Sequence, residues 1–214
     1  MANINGAFGL RPMSKLGQGS NSTGTTGYTP YEIANDYSTA IYQGSPVIPL
    51  STGYISLVGA AAGGSVSLVG AFMGCKYVSS TTGKTIWSNY WPGSGADSNH
   101  PVEAFVADDP AQLFVVATDA SWTNKATARA AVFANANFSS GTSGSTTTGM
   151  SSAALAISTI ATTAALHLRV MGWVDDPSNA DFASAGIGAI VRLNNSFNSP
   201  EGSIAAGTPS TTGV

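Results

Sequence analysis

A mainly β fold is what this sequence predicts, and three observations carry the prediction. Gly, Pro, Asn and Ser–Thr clusters interrupt the chain so often that few windows are long enough for a helix. The apolar runs between them are short and either alternate at period two or are rich in β-branched residues. Half of the 214 residues are Ser (28), Thr (22), Ala (32) or Gly (25), so large apolar side chains are rationed to those runs.

Taken in order, Tyr54–Val58 carries Ile55 and Leu57, and Ser65–Val69 carries Val66 and Leu68, each alternating as a half-buried strand does. Val102–Ala107 and Leu113–Thr118 are compact β-branched runs suited to buried strands. In Leu166–Val174, Leu166, Leu168, Val170 and Val174 share one face, with His167, Arg169, Met171 and Trp173 on the other. Ala189–Leu193 is the last strand. Turn signals lie between them at Thr82–Gly83, Pro92–Gly93, Asp109–Pro110, Pro177-Ser-Asn and Asn194–Asn195. One or two short helices are expected, over Trp122–Phe133 for its alanines and over Met150–Ala165, where Ser and Thr weaken the case.

The domain plan is an N-terminal arm and flexible segment over 1–27, one β-rich body over 28–206 and a tail over 207–214. Gly17–Gly27 and Ser139–Gly149 are Gly/Ser/Thr tracts without apolar anchors and read as flexible loops. The net charge of -3 with positive mean hydropathy argues against disorder, which pairs low hydrophobicity with high charge.

Only 9% of residues are charged, against about 25% in ordinary chains. Eight Lys and Arg spread along the chain make no basic stripe, so no nucleic-acid partner is expected. Val58–Met73 and Ser151–Leu168 are too short or too polar for the roughly 20-residue apolar span of a membrane helix. The start Met1-Ala-Asn-Ile-Asn lacks the pattern of a signal peptide, so synthesis in a cytoplasm is expected.

Catalytic groups are sparse: two histidines, one cysteine and eleven carboxylates. Asp108-Asp109-Pro110 and Asp175-Asp176-Pro177 suit Asx turns, with a Ca²⁺ loop as the alternative, although neither has EF-hand spacing. No Gly-x-Ser-x-Gly elbow occurs, and Gly83-Lys84-Thr85 lacks the upstream Gly of a phosphate loop because Val78 stands there. His100 and His167 have no second ligand at metal spacing and read as structural. The sequence therefore predicts no enzyme, no cofactor and no metal. Trp87, Tyr90 and Trp91, followed by Pro92-Gly93, form an aromatic cluster that is either a core or interface plug or a sugar-stacking platform.

A succession of blocks resembles structural proteins of tailed-bacteriophage virions. They are Ala7-Phe8-Gly9-Leu10-Arg11-Pro12 with Lys15-Leu16-Gly17, then Tyr37-Ser-Thr-Ala-Ile-Tyr42-Gln-Gly44-Ser-Pro46-Val47. Phe72-Met-Gly74-Cys75-Lys-Tyr77, Thr82-Gly83-Lys84, Ser88-Asn89-Tyr90-Trp91-Pro92-Gly93, Ala104-Phe-Val-Ala-Asp108-Asp109-Pro110 and Leu168-Arg169-Val-Met-Gly172-Trp-Val174 continue it. With no catalytic groups, the resemblance points to the capsid decoration or cement family. It implies a β-barrel, β-tulip or sandwich-like body on the capsid exterior. The partners it implies are the major capsid protein and further copies of the chain, as a trimer or a dimer. A low-charge interface of this kind loses little to salt.

Phe8, Leu10, Arg11 and Pro12 are candidate capsid contacts: two apolar anchors, a proline that holds Arg11 extended, and a flexible tract behind them fit an arm laid on a partner. Packing of the same segment on its own body is the other placement. An alternative function is a virion-exposed carbohydrate or host-surface adhesion module using Trp87, Tyr90 and Trp91.

Overall fold

Two antiparallel sheets carry the chain in the computed structural model, which describes residues 3, 6–16, 27–59 and 66–199. The first has five strands: β1 (Arg11–Lys15), β8 (Gln112–Ala117), β13 (Gly188–Leu193), β12 (Leu168–Trp173) and β9 (Asn135–Ala136), in that spatial order. The second runs β2 (Thr29–Ile33), β7 (Val102–Ala107), β5 (Gly70–Val78), β3 (Pro46–Pro49) and β4 (Ile55–Leu57), with β6 (Thr85–Ser88) also paired to β5. A small ribbon joins β10 (Phe138–Ser139) to β11 (Ala154–Leu155).

Alternation places the cores. Phe114 and Val116 of β8, Leu168 and Val170 of β12, and Ala189, Val191 and Leu193 of β13 meet Ala71 of β5 and Ala107 of β7 in one cluster. Both sheets contribute to it, which makes the body sandwich-like. The second sheet sends Phe72, Cys75 and Tyr77 of β5 and Val102, Ala104 and Val106 of β7 into another core with Ile33, Ile55 and Trp91. Its outer strands β2 and β4 approach one another, so the sheet curls around that core. A bulge between Phe72 and Gly74 lets Phe72 and Cys75 face the same core, which strict alternation forbids.

The one α-helix among the described residues, α1 (Lys125–Ala130), starts at a capping box: the Asn124 side chain accepts from Thr127 N, and the Thr127 hydroxyl accepts from Asn124 N. It is shorter than the Trp122–Phe133 expectation: it starts only after the Asn124 cap and ends at Ala130, ahead of the left-handed turn at Phe133, φ 74°. The helix expected over Met150–Ala165 does not form. Ser151 N bonds Gln43 O, β11 pairs β10, and a 3₁₀ turn spans Ile157–Thr159. Here Ser and Thr side chains serve the backbone locally; Ser151 Oγ, for instance, accepts from Ala153 N.

Five of the six expected strands stand within two residues of their expected ends, and Val102–Ala107 is β7 itself. Tyr54–Val58 contracts to β4, and all three of its residues are buried. Of Ser65–Val69, Ser65 lies outside the described residues and Leu68 forms only an isolated bridge to Ser196. Residues 17–26 of the first Gly/Ser/Thr tract and the 207–214 tail also lie outside the described residues. The Ser139–Gly149 tract is anchored, contrary to the loop expectation. Gln43 N bonds Gly149 O, Asn89 Nδ2 bonds Thr148 O, and Gly144 sits so close to the Tyr42 ring that a Cβ there would collide with it.

Candidate functional site

The N-terminal segment is built into the body, which corrects its reading as an arm laid on a partner. Leu10 is 1% exposed in the core shared by the two sheets, and its N–H bonds Gly44 O at 2.8 Å. Gly9 permits this seat: at φ 73°, a Cβ would fall 2.7 Å from Gly44 O. Arg11 and Pro12 then pair with Val115 and Phe114 of β8. Phe8 is half-buried under the Arg11 guanidinium, 4.8 Å from its ring centre. Residues 6–16 are therefore part of the body rather than of a separate segment over 1–27. What the segment does offer is an edge. Among the described residues no strand pairs with the outer side of β1, while Met13 and Leu16 are exposed.

Trp87, Tyr90 and Trp91 do not form one platform, a correction to the aromatic-cluster reading. Trp91 is fully buried, donates from its indole nitrogen to Tyr37 O at 2.9 Å and meets Tyr77 edge to face at 5.4 Å. It is the core plug. Tyr90 stacks on Tyr42 at 5.9 Å, the ring that abuts Gly144, and so braces the Ser139–Gly149 tract. Trp87 alone is open, 69% exposed on the outer face of the second sheet. There it stacks on Phe105 at 5.6 Å, with the Lys76 ammonium 5.5 Å from its ring centre and Lys76 paired to Glu103. The stack crosses β5 beside Gly74, where that strand has no side chain to cover.

A residue that sequence reasoning missed is Phe133. It is 75% exposed and held in left-handed backbone, a genuine outlier for a bulky side chain. Its N–H bonds Val170 O, so it projects beside β9, at the opposite edge of the first sheet from Met13 and Leu16. The helical propensity of the preceding alanines masked it; nothing in the sequence marks the turn.

Several of the titratable groups are held in structural contacts. Asp109 Oδ1 accepts from Ala111 N and Asp176 Oδ1 from Ser178 N, the Asx geometry expected before proline. The hydrogen bond from Lys15 holds the Asp109 carboxyl below its usual range, and the Ser178 hydroxyl does the same for Asp176. Asp108 ties Thr29, Tyr31 and Asn198 together. His167 is fully buried, its ring nitrogens 3.0 Å from Asn137 Oδ1 and 3.1 Å from Val66 O. Burial lowers its pKa, against a smaller opposing effect of the Val66 carbonyl. Burial likewise pushes the Cys75 thiol up to about 12. Among the described residues no three His, Cys, Asp or Glu converge as a metal site, and no helix is long and apolar enough to cross a membrane.

Comparison of the chain with protein-family models, with curated proteins and with solved structures gives no match.

Proposed function

We propose that the protein is a non-catalytic component of a tailed-phage virion that binds the outer capsid surface and bridges neighbouring major capsid subunits, with self-association into a trimer. One observation carries this reading: the first sheet presents exposed apolar side chains at both of its edges, Met13 and Leu16 beside β1 and Phe133 beside β9. Five strands at about 4.8 Å spacing hold those edges apart, so a single copy offers two separate contacts. Bridging requires that arrangement. The side of β1 that pairs with no strand among the described residues adds main-chain donors and acceptors for strand addition by a partner. Repetition of such weak contacts around a symmetric oligomer supplies avidity without charge.

Capsids lacking the protein provide the test. The wild-type chain is expected to bind them, and the Met13→Asp/Leu16→Asp variant and the Phe133→Asp variant are each expected to lose about tenfold or more in occupancy, as truncation of a contact hot spot does. Undiminished occupancy of both folded variants would overturn the two-edge reading. The adhesion alternative loses its three-ring platform with the separation of Trp87, Tyr90 and Trp91.

A further inference from the structure

We propose that the cavity between the start of α1 and the end of β12 binds a single neutral pyranose ring. The cavity holds about 300 Å³, the small end of the roughly 300–1,000 Å³ range of ligand sites, which suits one sugar ring rather than a chain of them. Its apolar wall is Trp173 and Phe182, packed edge to face at 6.0 Å, with Trp122 edge to face behind Trp173 at 5.3 Å. Rings fixed in this way present a rigid surface to the C–H face of a sugar.

Two polar lining groups are already spent. The Asn179 amide donates to Val174 O and Gly188 O and accepts from Gly188 N; Asp176 caps the Pro177–Asn179 turn through Ser178. These bonds shape the wall. The exposed Asp175 carboxylate and Lys125 ammonium also line the cavity, and among the described residues neither has an ion-pair or hydrogen-bond partner. One accepts hydrogen bonds and the other donates them. An anionic ligand would face Asp175 and Asp176, and a cationic ligand would face Lys125. A ligand that both donates and accepts, carries no charge and has an apolar face meets every requirement, and a pyranose is such a ligand. The indole N–H groups of Trp122 and Trp173 are sealed from solvent and unpaired. Buried donors left so are rare in folded proteins, and Trp173 carries one of them in the wall of this cavity.

This site does not depend on the capsid reading, and the failure of either leaves the other standing. Saturation-transfer NMR on the full chain tests it, using the methyl glycosides of glucose, galactose, mannose and N-acetylglucosamine as probes at about 10 mM, enough to load a site of millimolar affinity. Transfer to the ring C–H protons of at least one glycoside is expected. Asp175→Ala and Lys125→Ala change exposed residues and should fold normally, and each should weaken binding about fivefold or more, as loss of a hydrogen bond to a charged group does. Trp87→Ala should change nothing. Absence of transfer to all four glycosides overturns the proposal. So does binding that is unaltered in the Asp175→Ala/Lys125→Ala double variant or abolished in Trp87→Ala.

Discussion

Trp87 and Trp91 stand four residues apart and occupy opposite surroundings, one 69% exposed and the other fully buried. Their residue types were legible as burial or contact groups, but which did which was not. The chain leaves β6 at Ser88 and turns before Trp91 bonds back to Ile41, so no single alternation runs through both. The difference is measurable. Trp91→Ala should cost about 3–5 kcal/mol by urea unfolding, as a large buried aromatic does, while Trp87→Ala should stay within about 1 kcal/mol because most of its surface is already wet. His167 gives a second test at this scale. Its folded pKa lies below the ordinary 6.5, so the unfolded chain takes up the proton first as pH falls. Stability is then complete above about pH 6.5 and declines below it. The Tm of the wild-type protein should drop between about pH 7 and pH 5 more than that of His167→Gln; parallel pH profiles would remove His167 as the cause.

At the scale of elements, legibility followed regularity. β7, β8, β12 and β13 have simple apolar runs, and their place could be read. β5 is the longest strand among the described residues and the hub of the second sheet, yet its Gly70-Ala-Phe-Met-Gly-Cys pattern conceals it, because the bulge at Met73 shifts the phase of alternation. A similar bulge at Met171 breaks the two-face reading of Leu166–Val174, and His167 lies as deep as Leu168. The N-terminal segment was ambiguous for another reason. Two apolar residues and a proline fit an arm and an edge strand equally, and only the neighbouring Gly44 and β8 decide between them. If β1 is structural, Leu10→Ala should cost about 2–5 kcal/mol, and deletion of residues 1–16 should lower the Tm of the isolated protein. An unchanged Tm after the deletion would return the segment to the role of a dispensable arm.

For the whole molecule, a composition half made of Ser, Thr, Ala and Gly gives a body whose few large apolar residues fill two cores, with several left over on the surface. Met13, Leu16, Trp87 and Phe133 are exposed in a chain with little charge to offset them. The sequence made the β class legible. It did not show which apolar side chains stay exposed, because exposure at a sheet edge depends on pairing between strands far apart in the chain. The most direct test of the central claim is an image reconstruction of virions that contain the protein. The account predicts density outside the capsid shell, over a junction between major capsid subunits, with the β1 and Phe133 edges against different neighbours. Density confined to the tail, or a copy touching only one capsid subunit, would contradict it.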